Sequence, residues 1–332
     1  MKIFVIGKDN FLNWDLHVVS AFKNLGHQVE HFQINNRPWN IQFSRGILKG
    51  LLGKNRGNKI SNGMFINILK RRLESFKPDL IFFTSACFIP VEFYEVVNSL
   101  SFKPKIFAWE GDGGTNNLSN SSIRTFVDVM FESENEYVKS NILEFKNIFN
   151  LPFCANINIY KKYDLKRENK FYFCGSWTED RDEIFSQLTD YDIVFRGWKW
   201  DKLSSSSEKF DIKLGTISVE EQINDYNRYY TVINKHQASN NPLSALNMRT
   251  FEVPACNTLL VNDYRKGIEN YFDLDNEICT YKDILELKDI LEKIKKEPNS
   301  FDKIRENGYK RVLNEHTYEH RMKSVIKIYN EL

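Results

Sequence analysis

The sequence is poor in cysteine, and its five cysteines lie far apart, mostly within apolar runs. None forms a CxxC pair or a Cys/His cluster with the spacing of a zinc site, so we assign no structural metal. An odd number of scattered cysteines indicates buried, reduced thiols rather than a disulfide framework.

Long apolar runs are absent as well. Nothing approaches the roughly 20 residues that a membrane-spanning helix needs. The opening MKIFVIGKDN holds only a short apolar run, too brief for a signal peptide. We therefore expect a cytoplasmic protein, with peripheral contact at the inner membrane face left open.

The chain also has little net charge, +2 over 332 residues, so global charge predicts no partner. Its 42% hydrophobic and 27% charged residues fit a globular protein rather than a disordered one. The length exceeds the usual range of one hydrophobic core and favours two domains.

Short apolar, β-rich runs alternate along the chain with segments long enough for helices, which is typical of parallel α/β sheets. The predicted strands are residues 2–6, 29–34, 80–84, 105–109 and 127–132, then 171–174, 193–195, 231–234, 259–261 and 278–281. Three helices are predicted to begin near residues 282, 300 and 317.

The alternation pauses in NLPFCANINIYKKYDLKREN, which places a linker near residues 150 to 165. We expect a Rossmann-like domain over residues 1–155, a second over 156–315, and a helix over 316–332 that packs back on the first domain. The predicted fold is α/β, with two Rossmann-like domains that face a central cleft. Ligands of such sheets bind at the carboxyl ends of the strands.

Two common phosphate-binding motifs are missing. The turn after the first strand reads GKDNFLN and lacks the G-x-G-x-x-G of nicotinamide-dependent dehydrogenases, and no P-loop is present. A phosphate-binding device must therefore lie elsewhere.

The most informative stretch is NMRTFEVPACNTLLVND, residues 247–263, which predicts a helix over 250–255 before a buried strand. Arg249 and Glu252 are three residues apart and lie on one helical face. An arginine can form two parallel hydrogen bonds to a diphosphate, and a carboxylate can accept hydrogen bonds from both hydroxyls of a ribose. The alternative is a surface ion pair.

This stretch resembles the CgeB-like (spore-maturation-protein-like) glycosyltransferases, which carry an N-x-R-x-F-E-x-x-A-C segment before an apolar strand. The resemblance continues through YKDILELKDILEKI and ends at HTYEHR, residues 316–321, so it covers about the last hundred residues. It covers the first half only by pattern. It implies a GT-B fold with the sugar donor against the C-terminal domain, where Arg249 holds phosphate, Glu252 holds the ribose and Asn247 belongs to the same site.

A second candidate phosphate site is FCGSWTEDRDEIF, in which Gly175 and Ser176 form a tight turn after a strand. Similar turns in GT-B donor domains, phage DNA glucosyltransferases included, supply an arginine to the diphosphate, here Arg181. The alternative is that Thr178 caps the next helix and Arg181 pairs with one of the two acids before it.

A third candidate follows the strand of residues 231–234. Asn234 and His236 are two residues apart, so both face one side of the chain. They are interpreted as contacts to the phosphate or sugar, although a lone histidine in such a place is often structural.

The catalytic base is predicted in FAWEGDGGTNN, residues 107–117. Inversion needs a general base beside the acceptor hydroxyl, on the domain opposite the donor. Asp112 is our candidate base, and Glu110 a candidate acceptor contact. The alternative is a plain glycine-rich turn with solvated acids.

Two sequence features that are absent bear on the predicted stereochemistry and on the need for a metal. Many retaining GT-B enzymes carry a glutamate eight positions before the one matching Glu252, where this chain has Ser244, so inversion is favoured. No D-x-D motif is present, and arginines can balance a leaving diphosphate. We therefore expect no metal and no cofactor beyond the nucleotide-sugar co-substrate.

Residues 35–72 contain nine Lys or Arg and no acid, with Gly46, Gly50, Gly53 and Gly57 interrupting the run, and are interpreted as a basic flexible loop. Arg45 and Lys49 lie in FSRGILKGLLG, which mixes apolar and basic residues. It suits an anionic membrane surface or an anionic acceptor such as a lipid-linked or phosphorylated glycan, and nucleic acid less well. A merely solvated basic run is the alternative.

Together these features favour a glycosyltransferase that moves a sugar from a nucleotide diphosphate-sugar, UDP-sugar above others, to a glycan, lipid-linked or other hydroxyl acceptor. The alternatives left open are a non-catalytic nucleotide- or glycan-binding protein on the same frame, a phage-type DNA glycosyltransferase, and a sugar-nucleotide epimerase.

Overall fold

The computed structural model describes residues 1–8, 14–86, 89–111, 123–205, 207–237 and 246–332. The chain forms two compact units. The first unit contains Met1–Ser133, Tyr137–Leu151 and Met322–Leu332. The second unit contains Glu134–Glu136 and Pro152–Arg321. Asp112 and Ser244 lie outside the described residues.

The first unit is built on a parallel six-stranded sheet. Its strands are β1 (Lys2–Gly7), β2 (Gln28–Gln33), β3 (Leu80–Thr84), β4 (Lys105–Glu110), β5 (Val129–Glu132) and β6 (Ile148–Asn150). They lie in the order β2-β1-β3-β4-β5-β6. The chain reverses its direction across the sheet between β1 and β3, which is the switch point of this unit.

The second unit repeats the plan with another strand order. Its strands are β7 (Glu168–Cys174), β8 (Ile193–Gly197), β9 (Asp211–Leu214), β10 (Tyr229–Asn234), β11 (Leu259–Asp263) and β12 (Cys279–Tyr281). They lie in the order β12-β11-β10-β7-β8-β9, all parallel. This is the order of dinucleotide-binding sheets, and its switch point lies between β7 and β10.

Helices fill the crossovers. Those in the described ranges are α1 (Trp14–Asn24), α2 (Trp39–Leu52), α3 (Lys54–Phe76), α4 (Val91–Asn98), α5 (Asn135–Asn141), α6 (Glu179–Phe185), α7 (Val219–Arg228), α8 (Arg249–Ala255), α9 (Ile284–Lys296), α10 (Asp302–Glu315) and α11 (Tyr318–Glu331). No helix in these parts of the chain is long and apolar enough to cross a bilayer.

The strand sequences explain the layering. Parallel strands are covered on both faces and therefore read as continuous apolar runs. LIFFT of β3 is buried at all five positions. In the second unit, alternate residues of β7 enter different cores: Tyr172 packs with Val232 and Leu260, whereas Phe173 packs with Ile233. Because side chains alternate along a strand, these two cores lie on opposite faces of the sheet.

The predicted α/β fold is confirmed. All ten predicted strands are present, and α9, α10 and α11 begin within two residues of their predicted starts. The strands β6 and β9 were not predicted. Both are sheet edges, one only three residues long and the other, DIKL, largely exposed, so neither carries the apolar signature of a central strand.

The prediction of a flexible loop over residues 35–72 is wrong, because this segment forms α2 and α3. Phe65, Leu69 and Leu73 recur every four residues and are buried against the first core. Gly57 does not break the helix but lets it approach α2, since an added Cβ would lie 2.6 Å from the backbone of Leu48 and Lys49.

The HTYEHR segment closes the second unit. Arg321 donates to the carbonyl oxygens of Pro152 at 2.9 Å, Phe153 at 3.1 Å and Glu315 at 3.2 Å. The His316 Nε2 lies 2.8 Å from the Tyr271 carbonyl oxygen. Four of the five cysteines are described, and all four are buried free thiols, as predicted. Burial raises the pKa of the Cys279 thiol to about 12.

Candidate functional site

The turn after β7 lies at the switch point of the second unit. Gly175 donates its N–H to the Arg196 carbonyl oxygen at 2.9 Å. A Cβ added at Gly175 would lie 3.2 Å from Arg249 Nη2, so the guanidinium reaches across this turn. Arg249 is half-buried, and no group in the part of the chain that the structure describes forms a hydrogen bond or ion pair with it. The first residue of α8 therefore presents an unpaired cation to the end of β7.

Glu252 lies one turn further along α8 and is 4% exposed. Burial raises the pKa of its carboxyl to about 7, against the opposing effects of the Arg249 charge and a hydrogen bond from the Tyr160 hydroxyl. The two predicted partners thus lie together, but they are not a solvated surface pair. A buried carboxyl with a pKa near neutrality is a candidate functional group.

Arg181 is 5% exposed, and its guanidinium forms hydrogen bonds to backbone carbonyl oxygens. It donates to the Ser176 carbonyl oxygen at 2.7 Å and twice to the Lys235 carbonyl oxygen, at 2.9 and 3.1 Å. Arg181 therefore ties the end of β7 to the end of β10. Thr178 is the N-cap residue of α6 by position, but its side chain makes no capping hydrogen bond.

Asn234 and Asn247 bind each other rather than facing outward. Asn234 Nδ2 donates to Asn247 Oδ1 at 3.0 Å and to Asn262 Oδ1 at 2.7 Å, and Asn247 Nδ2 donates back to Asn234 Oδ1 at 3.1 Å. The Thr250 N–H donates to Asn247 Oδ1 at 3.3 Å. This amide network fixes the start of α8 against β10 and β11, and so places Arg249.

His236 also holds the start of α8 in place. Its Nδ1 lies 2.6 Å from Asp263 Oδ1, and its Nε2 accepts the backbone N–H of Asn247 at 3.0 Å. A backbone N–H can only donate, so Nε2 is unprotonated and the proton is on Nδ1. Burial lowers the pKa of His236, which keeps the ring neutral. With both nitrogens occupied, His236 holds the entry to α8.

Three charged residues of this site were not predicted. Lys235 Nζ and Arg265 Nε lie 3.6 and 3.4 Å from Asp263 Oδ2. Burial would raise the pKa of Asp263, but His236 and these cations outweigh it and lower that pKa to about 2. Arg265 is buried, and its Nε and Nη2 have no hydrogen-bond partner in the described structure.

A sequence signal for these residues existed. Lys235 directly follows β10, and Asp263 and Arg265 stand at the end of β11, where the carboxyl ends of parallel strands meet. Lys235 and Arg265 flank the ionised Asp263, while Arg181 lies at the ends of β7 and β10 and Arg249 reaches over Gly175. This edge of the sheet is therefore suited to a multiply charged anion.

The predicted acceptor residues lie in the first unit. Glu110 is only 1% exposed, and its Oε1 accepts the N–H of Gly111 at 2.9 Å. Arg45 and Lys49 line a cavity of about 560 Å³ beside α2, together with Arg37. Asp112, the predicted base, falls outside the described residues.

The switch point of the first unit holds a further carboxylate that the sequence did not reveal. Asp15, at the start of α1, is 1% exposed and lies 2.8 Å from His31 Nε2. A Cβ added at Gly7 would lie 2.5 Å from the Asp15 Cβ, so β1 ends in close contact with α1. Within the described ranges, no group of three or more His, Cys, Asp or Glu residues is placed to hold a metal ion.

Comparison with known proteins agrees with this geometry. The model of the glycosyl transferase-like family Glyco_trans_1_2 matches residues 169–327, slightly less than half of the chain. That range contains both arms of the candidate site, the turn after β7 and helix α8. No curated protein matches the sequence.

Solved structures match the whole chain. A sucrose-phosphate synthase (tll1590) from Thermosynechococcus elongatus has a TM-score of 0.67 at 11% identity, covering 100% of this chain and 98% of that one. Anabaena Alr3699/HepE in complex with UDP-glucose has a TM-score of 0.65 at 12% identity, covering 100% of both. A glycosyltransferase from Rickettsia africae ESF-5 has a TM-score of 0.64 at 13% identity, covering 99% of this chain and 98% of that one.

At these identities the likeness establishes the fold, whereas the family match concerns the second half of the chain. The family match and the shared fold together identify residues 169–327 as glycosyl transferase-like and support a glycosyltransferase with the GT-B fold.

Proposed function

We propose that the protein transfers a sugar from a nucleotide diphosphate-sugar, UDP-sugars above others, to a hydroxyl of a glycan or lipid-linked acceptor, with inversion. One observation carries the proposal: the guanidinium of Arg249, which has no hydrogen-bond or ion-pair partner among the described residues, reaches over Gly175 one helical turn from the buried Glu252. A cation and a carboxyl at this spacing match the diphosphate and the ribose of an activated sugar.

The surrounding charges support a diphosphate. Lys235 and Arg265 lie beside the ionised Asp263, and with Arg249 these cations exceed that single negative charge. Negative charge grows on the diphosphate as the glycosidic bond breaks, and fixed cations stabilise it without reorganising. The proposed reaction therefore needs no metal, because side chains balance the leaving group.

Glu252 is the residue that we propose binds the nucleoside part of the donor. An ionised carboxylate accepts two hydroxyl groups at once, which suits the 2′- and 3′-hydroxyls of a ribose. The preference for uridine is a proposal supported by the fold, which the Anabaena protein uses to bind UDP-glucose. The CgeB-like subfamily is likewise a proposal, supported by Asn247, Arg249 and Glu252 in their motif and by HTYEHR.

In the proposed reaction Asp112 removes the proton of the acceptor hydroxyl. The oxygen then attacks the anomeric carbon from the face opposite the diphosphate, the bond to the diphosphate oxygen breaks, and the nucleoside diphosphate leaves. A single displacement of this kind inverts the anomeric centre. Ser244, in place of a second glutamate, supports this stereochemistry.

Isothermal titration with UDP, GDP and dTDP tests the donor site. We expect one of them to bind saturably and Arg249→Gln to weaken it at least about tenfold, because a charge-assisted contact is lost. The matched control is Arg228→Gln, which removes an exposed guanidinium of α7 and leaves affinity unchanged. Failure of every nucleotide to bind the intact protein contradicts the proposal.

Asp112→Asn separates binding from chemistry. We expect this variant to keep the nucleotide affinity and to lose sugar transfer and donor hydrolysis, measured by release of nucleoside diphosphate with EDTA present. If the variant still transfers sugar, Asp112 is not the catalytic base. An intact protein that binds nucleotide but never turns it over is instead a binding protein.

A further inference from the structure

Helix α2 carries an apolar stripe on its exposed side. Trp39, Phe43, Ile47 and Leu51 are spaced four residues apart, which places them along one face of the helix. Their exposed fractions are 75%, 57%, 48% and 76%. The Trp39 and Phe43 rings stack at 5.3 Å, so the stripe begins with a flat aromatic surface. An ordered row of exposed apolar side chains marks an interaction surface.

The rest of α2 shows that the stripe is not a mispacked core face. Ile41, on the opposite side of the helix, is 3% exposed and belongs to the first core. Helix α2 is thus anchored in its own unit by Ile41, whereas its apolar stripe is turned to solvent. Packing within the unit accounts for Ile41 but not for the stripe.

The charge around the stripe has one sign. Residues 35–72 contain nine Lys or Arg and no acid. Arg37, Arg45 and Lys49 line the cavity of about 560 Å³ beside α2. Arg37 Nη2 and Arg45 Nε donate to the side-chain amides of Asn62 and Asn58, at 2.9 Å each. These amides carry no charge, so the positive charge of this cavity is not neutralised from within.

We propose that the α2–α3 hairpin docks the protein on an anionic lipid bilayer. The stripe enters the boundary between headgroups and acyl chains, and the surrounding cations lie against lipid phosphates. Aromatic and aliphatic side chains on one face with Lys and Arg beside them are what an interfacial helix requires. Docking does not depend on the proposed transferase activity.

Charge complementarity selects this occupant over a second copy of the chain. Two copies that pair through α2 would bring two acid-free basic surfaces together, which costs free energy. An anionic bilayer instead supplies the apolar phase and the negative charge in one surface.

Vesicle flotation tests the proposal with two lipid compositions, phosphatidylcholine alone and phosphatidylcholine with about 30% phosphatidylglycerol. We expect the full chain to float with the anionic vesicles only. Phe43→Ser combined with Leu51→Ser is expected to weaken partitioning at least about tenfold. The matched control, Leu143→Ser with Leu285→Ser, removes side chains that are 92% and 73% exposed elsewhere and keeps binding.

The cations are tested by Lys54→Gln with Lys59→Gln, against Lys303→Gln with Lys310→Gln in α10. All four lysines are exposed, so neither pair disturbs a core. Only the first pair is expected to weaken binding to anionic vesicles. Brominated lipids locate the contact, because Trp39→Phe should keep binding and lose most of the quenching of tryptophan fluorescence.

Three outcomes overturn the proposal. The first is no binding to anionic vesicles by a folded protein, and the second is binding that the Phe43 and Leu51 substitutions leave unchanged. The third is a dimer, measured by sedimentation velocity, that the same substitutions convert to a monomer while vesicles have no effect. Thermal unfolding of each variant shows that a loss of binding is not a loss of fold.

Discussion

At the residue scale, the buried carboxyl of Glu252 lowers the stability of the fold, although its charge serves the proposed binding of the donor. A carboxyl that is 4% exposed is desolvated, and its pKa of about 7 compares with an ordinary value of 4.5. The protein therefore keeps an acid where an apolar side chain would be more stable. Such a residue is retained where a ligand uses its charge.

This pKa predicts the pH dependence of stability. Between pH 4.5 and 7 the folded chain holds a proton on Glu252 that the unfolded chain has released, so stability falls as pH rises through this window and levels above it. The loss amounts to roughly 3 kcal/mol. We expect Glu252→Gln to flatten this dependence in denaturant unfolding at pH 5 and 8. The exposed Glu220→Gln should reproduce the wild-type curve.

Donor affinity should run in the opposite direction. Only the ionised Glu252 can accept two ribose hydroxyls, so UDP-glucose should bind more tightly at pH 8 than at pH 6, by up to about tenfold for one proton. Titration of the Glu252→Gln variant should show weaker binding with little change between the two pH values. An unchanged pH profile in that variant means that another group controls binding.

The sequence predicted some of these residues and not their roles. Arg249 and Glu252 follow from helical spacing, which is a local property. Arg181 donates to a backbone carbonyl 54 residues away and His236 accepts a backbone N–H 11 residues away, and no pattern of side chains encodes such contacts. The same holds for Arg265, whose importance depends on where β11 ends.

At the scale of elements, central strands could be predicted because burial on both faces leaves a continuous apolar run. The hairpin α2–α3 could not, since its glycines suggest flexible breaks and its apolar residues serve two faces. Tertiary packing decides the conformation here: Gly57 is buried where the helices meet, whereas Gly63 of the same helix faces open space.

This contrast predicts opposite effects of one substitution at two positions. Gly57→Ala places a Cβ 2.6 Å from the α2 backbone and should destabilise the first unit by about 1–3 kcal/mol. Gly63→Ala meets nothing within 4 Å and should stabilise α3 by about 0.5–1 kcal/mol. Amide hydrogen exchange of α2 and α3 measures both, and equal effects would contradict close helix packing at Gly57.

At the scale of the whole molecule, the chain returns to its first unit. Met322–Leu332 belong to that unit, and the Tyr329 ring lies 6.1 Å from the Phe107 ring of β4. Met322 and Val325 are fully buried. The division into two sheets could be predicted from the linker and the two runs of strands. A return to the first domain was predicted for the helix over residues 316–332, and the structure places Met322–Leu332 in that unit while Arg321 still belongs to the second.

Truncation after Arg321 tests the return. Removing Met322–Leu332 should lower the hydrogen-exchange protection of β4 and β5 in the first unit, because buried apolar contacts are lost. Protection in β7 and β10 of the second unit should change much less. Equal loss in both sheets would show that the segment supports the molecule in another way.

The late return also constrains biosynthesis. A ribosome delivers Met1–Ser133 and Tyr137–Leu151 early, but Met322–Leu332, which belong to the same unit, are translated only after the second unit. During elongation the first unit therefore remains incomplete while the second is made, and it exposes apolar surface that residues 322–332 later cover. A stop codon directly after Arg321 would therefore impair the half of the protein that was synthesised first.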